Sequence, residues 1–201
     1  LGAGDTAEPM SGITAKIAEN MIHSLNVPTA TSVRSIPVKV LEENRRLINK
    51  YLASQRRPKV SFTHILAWGI VKALIKYPQL NDAFAMVNGQ PTRIRRTSVN
   101  IGLAADTTRK DGSRLLVVPS VKNAQTLNFS DFCKNYDDLI GKARTGKLSL
   151  DELMGASVSL TNPGTIGTVA SIPRLMEGQG LIIASGAIEY PAEFMAVMPD
   201  V

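Results

Sequence analysis

Cysteine, histidine and aromatic side chains are all scarce in this chain of 201 residues, which holds one Cys, two His and 5% Phe, Trp and Tyr together. A single cysteine, Cys133, excludes an intrachain disulfide and fits a reducing, cytoplasmic setting. His23, His64 and Cys133 show no metal-ligand spacing, so no structural or catalytic metal is expected. The few aromatics do not interleave with the basic residues, which excludes the base-stacking platform of single-strand nucleic-acid binders. No apolar run approaches the roughly 20 residues that span a bilayer. The first residue is Leu rather than Met, and no basic-plus-apolar leader opens the chain. A soluble internal fragment with neither nucleic-acid nor membrane partners is expected.

What is present is a hydrophobic fraction of 44%, enough for one good core and no argument for a second. The formal net charge is +6, with basic residues clustered at Arg45-Arg46, at Arg56-Arg57 with Lys59, and at Arg93 with Arg95-Arg96. Such clusters attract polyanions.

Residues 1–10 are small or polar and read as the end of a linker, leaving 11–201 as the folded part. The spacing of Ile13, Ile17, Met21 and Leu25 predicts a helix over 11–25 with Ser11 at its N-cap. Alternating β-branched residues after Pro28 predict a strand over 29–36, and a second helix follows over 38–54. A strongly apolar helix over 61–76 reads as buried on more than one side and is ended by Pro78. Asn88-Gly89 predicts a hairpin between 83–87 and 91–94. Strands over 98–104 and 114–119 flank a polar loop at 106–112. A helix over 130–145, capped by Ser130 and stopped by Gly146, leads through a turn at 149–153 to a strand over 156–161. Strands and helices mix without strict alternation, so the fold class is α/β, a two-layer sandwich with a mixed β-sheet.

The stretch Val158-Ser-Leu-Thr161-Asn162-Pro163-Gly164-Thr-Ile-Gly167-Thr168 carries the chemical signal. Pro163 fixes φ and the glycines relax it, so Thr161 sits at a rigid strand end with Asn162 and Gly164 shaping the turn. A hydroxyl fixed there can donate to an oxyanion formed in acyl transfer, where losing one such donor costs about 3 kcal/mol of barrier. Other candidates read as structural. His64 lies on a helix near its first turn, His23 near the negative end of another helix, and Cys133 on the apolar side of an amphipathic helix.

The order of this strand, the glycine turn, Ser171-Ile-Pro173 and the apolar run 181–188 resembles the catalytic domain of 2-oxo acid dehydrogenase dihydrolipoyl acyltransferases, relatives of chloramphenicol acetyltransferase. Val27-Pro28-Thr-Ala-Thr31-Ser-Val-Arg34 resembles that family's first strand, and Ser61-Phe62-Thr63-His64 the start of its second long helix. Tyr77-Pro78-Gln-Leu-Asn81 looks like the motif that closes this helix. Val99-Asn100-Ile-Gly102-Leu-Ala104 with Leu115-Leu-Val-Val118-Pro119 looks like the central strand pair. Leu160 to Val169, Pro173-Arg-Leu-Met-Glu-Gly-Gln-Gly180 and Pro191-Ala-Glu193-Phe194 are most similar to the succinyltransferase domain of actinobacterial-type multifunctional 2-oxoglutarate dehydrogenase/decarboxylases.

The resemblance implies a chloramphenicol-acetyltransferase-like fold and a homo-trimer with the active-site channel between subunits. It implies succinyl transfer between a dihydrolipoyl group and coenzyme A, with Thr161 as oxyanion donor. The lipoyl group would come from a lipoyl domain of another protein. A thiamine-diphosphate-dependent dehydrogenase portion would be fused in the parent chain, which alone would need thiamine diphosphate and Mg. The family's general base is the His of a His-x-x-x-Asp-Gly motif, which neither His23 nor His64 matches, and Thr29 stands where many relatives carry His. The base is therefore expected beyond residue 201, and the domain as truncated at its C-terminus is expected to be inactive alone. Arg34 is a candidate for binding an acyl carboxylate. The rival reading is a non-catalytic trimerising scaffold domain.

Overall fold

The computed structural model describes residue 2, residues 4–108 and residues 112–190. Part of the expected 106–112 loop, at residues 109–111, and the ending from Pro191 to Phe194 lie outside the described residues. So does the side chain of Ile13.

Four helices form where apolar spacing predicts them: α1 Gly12–Ser24, α2 Lys39–Ser54, α3 Phe62–Lys76 and α4 Phe129–Thr145; the turn expected at 149–153 is a single helical turn, α5 Leu150–Leu153. Ser11 occupies the N-cap position of α1 but makes no side-chain cap bond. Helix α4 is capped by Asn128, whose Oδ1 accepts from the Asp131 N–H at 2.9 Å. The expected cap Ser130 lies inside the helix and accepts from Arg57 Nη2 at 2.8 Å instead. Asn is as good a cap as Ser, and the residue nearer the helix start wins. Gly146 ends α4 in the left-handed conformation, φ +66°, as its lack of a Cβ allows.

The strands are β1 Ala83–Val87, β2 Gln90–Ile94, β3 Ile101–Leu103, β4 Ala105–Thr108, β5 Arg114–Val117, β6 Ser120–Val121, β7 Val158–Thr161 and β8 Leu181–Ala184. The main sheet has the order β6-β3-β7-β8, with β6 antiparallel to β3 and the other pairs parallel. Helices α3 and α4 cover it through Ala67, Val71, Leu74, Phe132 and Leu139, packed on Ile101, Leu103, Val158 and Leu160. This is the expected two-layer sandwich with a mixed sheet. Strands β1 and β2 form the Asn88-Gly89 hairpin, Asn88 with φ +51° and Gly89 with φ +76°.

Two strand expectations change. The segment 29–36 forms no ladder among the described residues, and residues 28–37 are exposed. Its alternation suits a strand, but backbone donors and acceptors need a partner strand before the ladder exists. The central pair also splits. Strand β3 pairs with β6, and a separate ribbon of β4 and β5 carries Asp106 in a strand rather than a loop. The Thr107 hydroxyl, donating to the Leu115 carbonyl at 2.9 Å, ties the ribbon together.

Candidate active site

Strand β7 delivers Thr161 to the edge of the core, half-buried, at its last hydrogen-bonded position. The chain then turns through Asn162, a single 3-10 turn at Pro163–Ile166, and Gly167 with φ +83°. The turn is laced to the chain leaving β8. Ser185 N–H donates to the Thr161 carbonyl at 3.0 Å, Gly164 N–H to the Ser185 carbonyl at 3.2 Å, and Ala187 N–H to the Thr168 carbonyl at 2.9 Å. The approach is so close that a Cβ on Gly164 would collide with the backbone of Gly186, and one on Gly186 with the carbonyl of Val169. Glycine is required at both positions for proximity rather than for φ.

A third clamp comes from α3. The Asn162 side-chain amide donates to Thr63 Oγ1 at 2.9 Å, fixing the turn to the first turn of that helix. Burial raises the pKa of the neighbouring Tyr136 phenol, an effect the Thr63 hydroxyl opposes. The Thr161 hydroxyl itself has no hydrogen-bond partner among the described residues. A pre-positioned, uncommitted donor on a rigid strand end is what stabilisation of a developing oxyanion needs.

Beside the turn lies a cleft of about 320 Å³ whose wall includes Arg45, Thr63, Asn162, Gly164, Thr165 and Ser185. It brings Asn162 and Gly164 together with groups that the sequence reading left out of the site. Thr63 lies in the Ser61-to-His64 stretch and Ser185 in the apolar run 181–188, both read only as marks of the fold, and Arg45 was visible only as part of a basic cluster. The signal available for the second wall was Gly186 inside an apolar run, a mark of close backbone approach.

The two histidines lie elsewhere. His64 completes a capping box on α3: Ser61 Oγ accepts from the His64 N–H at 3.2 Å, and His64 Nδ1 accepts from the Ser61 N–H at 2.9 Å. Because Nδ1 is an acceptor, Nε2 carries the proton and donates to Asp137 Oδ1 at 3.0 Å. His23 Nδ1 lies 3.2 Å from Glu177 Oε2, within hydrogen-bond distance, a contact beyond the expected helix-end role. Arg34 is exposed and, among the described residues, donates only to its neighbour, the Val33 carbonyl, at 2.9 Å.

Cys133 lines a different cleft of about 160 Å³ with Asp137 and Arg57. Burial, with a contribution from the Asp137 charge, pushes its thiol up to about 11, which removes it as a nucleophile near neutral pH. The other basic clusters are partly engaged. Arg93 pairs with Asp82 and Arg96 donates to the Gly178 carbonyl. Among the described residues no group of three or more His, Cys, Asp or Glu side chains is placed to hold a metal ion, and no helix is long and apolar enough to cross a membrane.

Residues 2–196 match the family model for the 2-oxoacid dehydrogenases acyltransferase catalytic domain. The chain is 49% identical over 196 residues to the multifunctional 2-oxoglutarate metabolism enzyme of Mycolicibacterium vanbaalenii, covering 98% of this chain and 16% of that protein. It is 47% identical over 192 residues to the 2-oxoglutarate dehydrogenase E1/E2 component of Corynebacterium glutamicum, covering 96% of this chain and 16% of that protein. The chain thus spans about a sixth of the length of these relatives. Its fold matches the Azotobacter vinelandii dihydrolipoamide acetyltransferase with a TM-score of 0.79 and 30% identity, over 94% of this chain and 76% of that one. A probable dihydrolipoamide acetyltransferase from Listeria monocytogenes matches with a TM-score of 0.80 and 25% identity, over 95% of this chain and 79% of that one. The sheet is therefore that of the chloramphenicol-acetyltransferase-like acyltransferase cores, and the chain belongs to the family of 2-oxoacid dehydrogenase acyltransferase catalytic domains.

Proposed function

We propose that this domain transfers a succinyl group between the thiol of a dihydrolipoyl arm and the thiol of coenzyme A, as part of a 2-oxoglutarate dehydrogenase system. The observation that carries the reading is the Thr161 hydroxyl, fixed at the end of β7 by the lacing of its turn and without a partner of its own among the described residues. Similarity to the 2-oxoglutarate enzymes of Mycolicibacterium and Corynebacterium supports the succinyl group as the acyl unit.

In the exchange, the attacking thiol loses its proton to a base and the thiolate adds to the thioester carbonyl. The carbonyl oxygen becomes an oxyanion that accepts a hydrogen bond from Thr161 Oγ. The intermediate collapses by breaking the original C–S bond, and the departing thiolate recovers a proton. His64 is committed to capping α3 and to Asp137, so it is not this base. The base is the His of a His-x-x-x-Asp-Gly segment outside residues 1–201. The working unit is a homo-trimer served by the lipoyl domain of another protein, with a thiamine-diphosphate-dependent dehydrogenase fused in the same polypeptide.

The test is an exchange assay between succinyl-coenzyme A and dihydrolipoamide on the complete parent polypeptide. Exchange that depends on Thr161 supports the reading. Its absence in a folded protein assigns the domain to assembly instead.

A further inference from the structure

We propose that Tyr136 is a positioning residue for the turn that carries Thr161, acting through the Thr63 hydroxyl. The proposal rests on the acyl-transfer reading above. Thr63 Oγ1 accepts from the Asn162 side-chain amide at 2.9 Å, and Asn162 follows Thr161 directly at the end of β7. A hydroxyl that accepts one bond still has a proton of its own to place. The Tyr136 phenol, on α4, is the side chain that meets it. The centre of the Tyr136 ring lies 4.2 Å from that of His64, the residue after Thr63, so the two helices bring the phenol to the first turn of α3.

Burial pushes the Tyr136 phenol up in pKa and its hydrogen bond with Thr63 brings it down, the direction expected when the threonine donates and the phenol oxygen accepts. The bonds then run in one sense, from Asn162 to Thr63 to Tyr136. Tyr136 itself packs against the core that α3 and α4 share, so its oxygen is an acceptor in a fixed place. Fixity matters because a threonine in a helix divides between two χ1 rotamers. An acceptor that does not move selects one of them, and the one selected keeps Oγ1 on Asn162. Without the phenol oxygen the half-buried Thr63 hydroxyl has a proton left unplaced. A change of rotamer relieves that cost by giving up the bond from Asn162, and the turn behind Thr161 loosens.

The experiment is a double-mutant cycle on the complete parent polypeptide, with kcat and KM for exchange between succinyl-coenzyme A and dihydrolipoamide in wild type, Tyr136→Phe, Thr63→Val and the double variant. Tyr136→Phe keeps the packed ring and removes the oxygen. The expected result is a kcat severalfold lower at nearly unchanged KM in Tyr136→Phe, and little further loss when the same change is added to Thr63→Val, where its route to the turn is already cut. Equal losses in the two backgrounds, or an effect confined to KM, overturn the proposal and leave Tyr136 a packing residue. Amide hydrogen exchange read by mass spectrometry follows the turn without relying on activity. Peptides covering residues 161–168, where the Gly167 N–H donates to the Gly164 carbonyl at 3.1 Å, are expected to exchange severalfold faster in Tyr136→Phe, while those of the β1–β2 hairpin stay unchanged. If the wild type moves no acyl group, the acyl-transfer reading fails and hydrogen exchange alone judges Tyr136. Faster exchange confined to the turn then sustains its positioning role, and an unchanged turn or a rise throughout the domain overturns it.

Discussion

A Cβ on Gly164 would lie only 2.5 Å from the backbone nitrogen of Ala187 and would collide outright with the carbonyl of Gly186. The turn that carries Thr161 is therefore built by two backbones crossing without side chains between them.

Neither Gly164 nor Gly186 has a left-handed φ, so alanine at either position is penalised by sterics alone. Gly186→Ala is expected to destabilise the domain by about 1–3 kcal/mol through forced backbone displacement. The urea midpoint of the purified domain checks this, and an unchanged midpoint would show that the crossing is looser than described.

The Asn162 amide reaches Thr63 Oγ1 at 2.9 Å across 99 residues of sequence. Thr63→Val keeps the shape of the side chain and removes the acceptor. It is expected to lower kcat about tenfold with little change in KM, because the hydrogen bond orients the turn rather than the substrate. Thr63→Ser is expected to restore most of the rate. Equal kcat for Val and wild type would show that Asn162 needs no anchor.

His64 offers a control for misassigned catalysis. Its ring caps α3 and donates to Asp137, and it is buried. His64→Ala is expected to cost about 1–2 kcal/mol of stability through the lost cap, while thioester exchange by the folded fraction persists. A loss of exchange out of proportion to the loss of folded protein would return His64 to the catalytic candidates.

The Cys133 thiol, pushed up to about 11, is almost entirely protonated at pH 8. Alkylation by iodoacetamide at that pH is expected to run roughly a hundredfold slower than for a free thiol of ordinary pKa near 8.5. Mass spectrometry of the time course decides it, and rapid labelling would contradict the burial of this face.

Glu152 accepts from Lys142 at 2.8 Å and from the Ser149 N–H at 2.8 Å, which lowers its pKa from the usual 4.5 to about 2. A carboxylate with a depressed folded pKa contributes stability that is fully present above about 4.5 and lost as pH falls toward 2. Part of the acid sensitivity between these values is expected to vanish in Glu152→Gln. Identical acid titration of the variant and the wild type would deny Glu152 that role.

The turn from Val158 to Thr168 was legible because Pro163 and the glycines punctuate it, and the helices because their apolar faces repeat. The hairpin was legible from Asn88-Gly89 alone. What could not be read were features set by distant partners. The segment 29–36 has strand chemistry but no strand pairs with it among the described residues, and β3 pairs with β6 while β5 pairs with β4. Thr63, Arg45 and Ser185 meet the turn only through folding, and no local pattern marks a residue whose importance lies in what it touches. Ser130 was a plausible cap displaced by a better-placed Asn128.

The central claim is that Thr161 donates to the oxyanion of a thioester exchange. The most direct test is single-turnover exchange between succinyl-coenzyme A and dihydrolipoamide on the complete parent polypeptide, with Thr161→Ala beside the wild type. The account predicts a rate about a hundredfold lower or more with KM nearly unchanged, as loss of a donor used only in the transition state requires. A Thr161→Ala protein that exchanges at the wild-type rate would contradict it.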